Sequence, residues 1–183
     1  MLIKLPHTFT TKDGRSMLVR EATWQDAEKV IQYVKLVGDE SENLTFTSKD
    51  FNKTISEEVQ IIRDHQKKEN HVFIIAEMDN QIVGQLNVMS SHKPRLFHVG
   101  EFGISVRKSH WGLGVGAALM HAMVDWAKQS GVIRKLNLMV RADNEKAQSL
   151  YKKFGFEYEG TNRRDMIING QMHDAHYMGL LID

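Results

Sequence analysis

The sequence predicts an α/β domain built on a mixed β-sheet. Two apolar runs, Val72–Met78 and residues 82–88, flank Asp79, Asn80 and Gln81, which is the pattern of an antiparallel hairpin. A strand, a glycine-rich loop, a helix, a second strand and a second helix follow between residues 99 and 154. The tail holds Asn169 and Gly170 between two extended runs, a strong hairpin turn.

Each element has a local reason. Residues 16–22 read as a strand. Thr23 stands three positions before Asp26, as in a capping box, and Ala27, Val30, Ile31 and Val34 follow at helical spacing. Residues 38–51 are polar and read as a loop. A second helix is expected over 57–68, with Ile55, Val59 and Ile62 on its apolar side. Residues 92–97 read as a loop. Val99–Val106 alternates, placing Phe102, Ile104 and Val106 on one face and Glu101, Gly103 and Ser105 on the other. After the glycine loop, Val115, Leu119, Ala122 and Trp126 mark a helix that stops near Gly131. Leu136, Leu138 and Val140 alternate in the next strand. Asn144 opens a helix with Ala147, Leu150, Tyr151 and Phe154 on one side, and Gly155 closes it. Residues 156–162 and 164–168 read as extended, and 175–182 as the last strand. With no repeat or linker, residues 1–183 are expected to form a single domain.

Composition narrows the function. The chain has 42% apolar and 26% charged residues and a formal net charge of +1, which argues against a dedicated nucleic-acid-coating protein. It has no cysteine, so disulfides, cysteine-ligated zinc and cysteine nucleophiles are excluded. The first residues lack the apolar core of a signal peptide, and no apolar run approaches the roughly 20 residues of a membrane helix. A soluble cytoplasmic protein without membrane or nucleic-acid partners is expected. The nine histidines form no HExxH, and no metal site is expected.

The loop Trp111, Gly112, Leu113, Gly114, Val115, Gly116 lies between a strand and a helix start. Glycines let a backbone approach a ligand closely, and a helix N-terminus offers free N–H groups and partial positive charge. A phosphate or pyrophosphate fits such a place, with Arg107 and Lys108 upstream to add charge; a tight turn with solvated basic residues is the other reading. A Walker A loop is excluded because no Gly-Lys-Ser/Thr ends it. The Gly112-x-Gly114-x-x-Ala117 spacing matches a dinucleotide fingerprint. However, residues 130–142 hold no Asp or Glu where that motif requires an acid.

Together, Ile104-Ser105-Val106, the 111–116 loop, Leu119, then Asn144, Ala147, Leu150, Tyr151, Gly155 and Phe156, resemble the GNAT family of N-acetyltransferases. The segment from Leu18 to Ala27 and the end of the chain, with Asn169, Gly170, Asp174 and Met178, are similar to the family's edges. The resemblance implies a mixed central sheet with helices on both faces. It also implies acetyl-CoA, as co-substrate, in a V-shaped gap between the two central parallel strands. The backbones of Ile104, Ser105 and Val106 would hold the pantetheine arm, the 111–116 loop the pyrophosphate, and Asn144 the arm as well. One departure is Trp111, where the family often has Arg or Gln. An indole brings one donor and no charge, so phosphate binding would rest on backbone N–H groups. Trp111 also suits plain packing.

Transfer from a thioester to an amine requires a fixed donor, a deprotonated amine, a stabilised oxyanion and a protonated thiolate. Glu101 is the candidate base, on the strand that borders the acceptor cleft in the resemblance; a solvated edge carboxylate is the other reading. His98 and His110 are weaker candidates. Tyr151, which the resemblance places beside the cofactor sulfur, is the candidate acid, although its helical stripe also suits the core. Asn144 serves equally as an N-cap. Arg163, Arg164, His173 and His176 gather near the terminal hairpin as a solvated face or an acceptor-site wall.

The expected function is acetyl transfer from acetyl-CoA to a primary amine by direct attack in a ternary complex. The acceptor is a small metabolite or antibiotic, or a protein N-terminus; the sequence carries no code for choosing among them, and a homodimer is allowed for. The alternative is a non-catalytic acyl-CoA sensor, and a third class is a structural interaction domain that binds no CoA.

Overall fold

The computed structural model describes residues 2–183. Eight strands form one sheet. They are β1 (His7–Thr10), β2 (Ser16–Glu21), β3 (Val72–Met78), β4 (Gln81–Ser90), β5 (Val99–Val106), β6 (Lys135–Arg141), β7 (Glu157–Ile168) and β8 (Gln171–Leu181). Four α-helices accompany them: α1 (Ala27–Glu40), α2 (Ile55–Gln66), α3 (Val115–Ser130) and α4 (Glu145–Lys153). The strand order is β1-β2-β3-β4-β5-β6-β8-β7. Every neighbouring pair is antiparallel except β5 and β6, which α3 connects as a parallel crossover.

Two apolar clusters show that helices cover both faces. Successive residues of β3 point to opposite sides: Val72, Ile74, Ala76 and Met78 join the cluster under α3, while Phe73 and Ile75 join the one under α1 and α2. Helix α3 lies close on the sheet because Gly84 carries no side chain. A Cβ there would stand 2.7 Å from Val115 Cγ1 and 2.9 Å from Leu119 Cδ1. Helix α4 packs beside α3, with Phe154 edge-on to His121 and Leu150 over Gly116.

The local signals explain most boundaries. Asp79 and Asn80 both take positive φ in the β3–β4 turn, as do Asn169 and Gly170 between β7 and β8, the geometry of a two-residue hairpin. Thr23 and Asp26 form the expected box, closing a short 3-10 turn ahead of α1. Several expectations need correction. Helix α1 runs on to Glu40, into the predicted loop. Helix α2 begins at Ile55 because Thr54 and Glu57 cap it reciprocally. Residues 157–168 are one strand with an irregular register between Asn162 and Met166, where two pieces were expected. Strand β8 starts at Gln171, four residues earlier than its apolar pattern suggests. Strand β1 was not anticipated; it is a short, mostly exposed edge.

Candidate active site

The parallel pair makes the site by coming apart. Strands β5 and β6 are in register only at Val99–Lys135, Gly100–Leu136 and Glu101–Asn137. Beyond that point each follows its outer neighbour. Val106 still pairs with Gly84 of β4, and Arg141 with Ala175 of β8. The facing edges of residues 103–106 and 138–141 are therefore unpaired. Backbone donors and acceptors left this way need partners from elsewhere. A cavity of about 1070 Å³ fills the split, lined by Phe102 to Val106 from one strand and Leu138 to Arg141 from the other.

The cavity reaches both faces of the sheet. On the α3 side it is bounded by Gly112, Gly114, Gly116, Asn144 and Tyr151. On the α1 side it is bounded by Val34, Val37, Leu44, Phe46, Gln85 and Asn87. Leu44 and Phe46 lie in the stretch read as a polar loop; this apolar pair was the available sign that the loop packs.

The glycine loop has the geometry an anion needs. Gly112 and Gly114 have φ of 79° and 96°, and a Cβ on either would meet nothing within 4 Å. The loop therefore presents bare backbone to the cavity at the start of a sixteen-residue helix. The Lys12 N–H donates to the Leu113 carbonyl at 3.0 Å and holds the loop in place. The charge comes from an unexpected quarter. Arg107 is turned toward Glu40, its Nε 2.9 Å from Oε1, and the Lys108 N–H donates to Glu40 Oε2 at 2.8 Å. Lys12, Lys146 and Lys153 line the cavity instead.

Trp111 contributes through packing and one bond. Its Nε1 donates to the Val106 carbonyl at 2.8 Å, and Lys146 Nζ sits 5.2 Å from its ring centroid. The indole donor is thus committed to the protein. Asn144 caps α4, its Oδ1 accepting from the Ala147 N–H at 3.2 Å, and it also borders the cavity.

Tyr151 lies under the split. It is buried and packs edge-on to Phe102, with ring centroids 6.0 Å apart. Burial pushes its phenol up to about 12. Among the described residues its hydroxyl has no hydrogen-bond partner. On the opposite face, the hydroxyl of buried Tyr33 lies 3.0 Å from Ser105 Oγ, and burial raises its pKa too.

The remaining candidates are dispersed. Glu101 is exposed, on the face of β5 opposite Phe102, Ile104 and Val106 as expected, which is the α1 side, but at the closed end of the split and outside the cavity lining. His110 borders the cavity, and burial lowers its pKa. His98 does not border it. Of the hairpin group, His176 Nδ1 bonds Thr161 Oγ1 and His173 faces Asp143; neither histidine, and neither Arg163 nor Arg164, lines the cavity. Sequence reasoning missed Lys12, Tyr33, Asn87 and Lys146, whose places depend on distant chain segments meeting.

A split parallel pair beside a glycine loop matches a known family. The model of the Acetyltransferase (GNAT) family matches residues 39–156. The chain belongs to that family. By family it is an acetyltransferase, of a kind that takes acetyl-CoA as donor. The chain is 37% identical over 105 residues to the L-amino acid N-acetyltransferase AaaT of Escherichia coli (strain K12), covering 57% of this chain and 65% of that protein. It is 27% identical over 154 residues to an N-alpha-acetyltransferase of Sulfurisphaera tokodaii, covering 80% of this chain and 83% of that protein. A crystal structure of a GNAT acetyltransferase from Streptococcus pneumoniae superposes with a TM-score of 0.88 at 28% identity, covering 91% of this chain and 99% of that one. The same fold, with a TM-score of 0.80 at 16% identity over 91% of this chain and 94% of that one, occurs in a Salmonella typhimurium acetyltransferase solved with its cofactor acetyl-CoA.

Proposed function

We propose that this GNAT protein acetylates a primary amine by direct attack on acetyl-CoA within a ternary complex. The observation that carries the reading is the two-sided cleft. The split between β5 and β6 joins a glycine-loop, basic face to an α1-side pocket through one opening. A donor entering from one face and an acceptor from the other meet at the unpaired edge of β5, without an enzyme-bound acyl group. The fit for the donor is physical: bare backbone at Gly112 and Gly114, three lysines, and unpaired strand edges for amide groups. When bound, acetyl-CoA supplies the thioester carbonyl and the leaving thiol.

The protein's own groups do the rest. The free edge of Ile104 to Val106 aligns the pantetheine amides. Tyr151, kept protonated by burial, donates to the departing sulfur. Glu101 takes the ammonium proton from outside the cleft, through water. The α1-side wall selects the acceptor. Proteins similar to this chain are named as acetyltransferases of L-amino acids, of spermidine and of ribosomal-protein serine. The acceptor class supported here is a primary amine, on a small molecule or a polypeptide N-terminus.

Thiol release from acetyl-CoA, measured across L-amino acids, polyamines and N-terminal peptides, tests this. Amine-dependent release is the expected result. Tight acetyl-CoA binding with no release on any amine would make the chain a sensor instead.

A further inference from the structure

Glu101 and the cleft share one face of β5 but do not touch, so the path between them is a structural question. Along that face the residues are Glu101, Gly103 and Ser105. Gly103, at the middle of the row, borders the cavity, whereas Glu101 does not. Across the ladder, Met89 faces Glu101, Asn87 faces Gly103 and Gln85 faces Ser105.

Gly103 leaves a slot. A Cβ built there would meet a single neighbour, Asn87 Oδ1, at 3.6 Å. The backbone at Gly103 is ordinary strand, without positive φ, and no packed helix approaches it. Neither turn geometry nor close packing therefore requires a glycine at this position. The space over it is open, with the Asn87 carboxamide as its wall. Among the described residues that carboxamide makes no hydrogen bond, so it has donors and an acceptor to offer water. Consecutive same-face residues of a strand are roughly 6.6 Å apart, about the span of two hydrogen bonds through one water.

We infer that Gly103 and Asn87 form a water-holding slot that carries the acceptor's ammonium proton from the cleft to Glu101. The inference deepens the acetyltransferase reading and rests on it. The step balances simply. An ammonium N–H bond breaks, its proton passes to the slot water, and a proton from that water forms the O–H bond on the Glu101 carboxylate. The nitrogen keeps its electron pair for attack. Glu101 is exposed, so it returns the proton to bulk solvent. Gly103 and Asn87 are positioning residues. Few charged groups compete. In direct register, β4 gives Glu101 only Met89 and β6 only Asn137; beyond Asn137 in the same row, the Glu159 carboxylate of β7 lies over Gly179 of β8. Lys135, one pair away, is held by Glu159 of β7 at 2.9 Å. From α1, Tyr33 faces Ser105 at the far end of the row.

The experiment compares the parent, Gly103→Ala, Glu101→Gln and the double variant. The acceptor is whichever panel amine the parent acetylates, assayed from pH 6.5 to pH 9.5. A methyl at residue 103 has room in the protein and displaces only the slot water. Gly103→Ala is expected to lower kcat about tenfold at pH 7 and to approach the parent near pH 9.5, where free amine is plentiful, with KM for acetyl-CoA unchanged. The double variant is expected to be no slower than Glu101→Gln alone, because both changes cut one path. Asn87→Leu is expected to copy the pH signature of Gly103→Ala. A loss that is uniform across pH, or losses that multiply in the double variant, would overturn the slot and make residue 103 a steric wall of the acceptor pocket. A parent that binds acetyl-CoA yet acetylates no amine overturns the acetyltransferase reading itself, a result visible before any variant is made.

Discussion

The Trp111 indole N–H is bonded to the Val106 carbonyl at 2.8 Å, which ties the glycine loop to the end of the strand that borders the cleft. The two residues are five positions apart, and the bond closes the chain over the intervening 3-10 turn at Lys108–His110. The Trp111 donor is therefore spent on ordering the loop. Lys146, stacked on the same ring, brings positive charge to that edge.

Trp111→Phe keeps a ring under Lys146 and removes the donor. A hydrogen bond of this kind is worth about 1 kcal/mol. Affinity for CoA is expected to fall about three- to tenfold, with kcat for bound substrates little changed. Calorimetric titration with CoA checks this, and an unchanged affinity would show that the loop is ordered without the bond.

Gly114→Ala and Gly131→Ala form a matched pair. Both glycines are in the left-handed region, with φ of 96° and 66°, at opposite ends of α3, and a Cβ on either meets no protein atom within 4 Å. Each substitution costs about 1 kcal/mol of backbone strain, a fall in Tm of roughly 2–4 °C. Of the two, only residue 114 lines the cavity proposed for the donor. CoA affinity is expected to drop at least about tenfold for Gly114→Ala and to hold for Gly131→Ala. Equal affinities would remove the loop from the donor site.

These variants concern features of uneven legibility in the sequence. Strand β5 could be read because Phe102, Ile104 and Val106 alternate with Glu101, Gly103 and Ser105. The two hairpins could be read because Asn80, Asn169 and Gly170 tolerate positive φ. The split itself could not. It arises because β5 stays with β4 and β6 stays with β8, a competition among four strands that no local pattern encodes. The Arg107–Glu40 pair was hidden for the same reason: its partners are 67 residues apart, so charge expected at the phosphate loop went to α1. Glycine inside a strand signals a bulge or close approach. At residue 103 that signal was present in the sequence, but its meaning depended on Asn87 across the ladder.

Asp26→Asn tests the anchor at the start of α1. Asp26 is buried. Burial alone would raise its pKa, but two bonds from Arg20, at 2.8 Å each, and one from the Thr23 N–H, at 2.7 Å, hold it below the usual carboxylate range. A carboxyl depressed in the folded state contributes stability that is present above its unfolded pKa near 4. That stability is lost as pH falls through the folded value. The amide variant is expected to cost about 2 kcal/mol at pH 7, because it leaves Arg20 with only Glu77 for charge. The difference from the parent should shrink as pH falls below 4. Chemical denaturation at pH 7 and at pH 3 measures both, and a pH-independent difference would assign the loss to packing.

Tyr151→Phe separates catalysis from packing at the aromatic hydroxyl on the α3 side of the split. The ring is held by Phe102 and Phe156, with centroids 6.0 and 6.2 Å away, and phenylalanine keeps both contacts. The hydroxyl has no partner among the described residues, so its removal leaves no orphaned group, and Tm is expected to hold or rise slightly. Burial pushes the phenol up to about 12, so it carries its proton throughout the working range and can give it to a thiolate. Positioned acid catalysis is typically worth about 10²–10⁴-fold, or roughly 3–5 kcal/mol of barrier. The expected outcome is a fall in kcat of that size, with CoA affinity unchanged. Because the parent phenol stays protonated, its own kcat should show no loss below about pH 11 from this group, and the variant should remain slow at every pH. Donors with a better leaving group give the sharpest readout: an acetyl thioester of a low-pKa thiol needs little protonation as that thiol departs, so the deficit should narrow. If the variant instead keeps its turnover number and loses stability, Tyr151 belongs to the core and solvent supplies the proton.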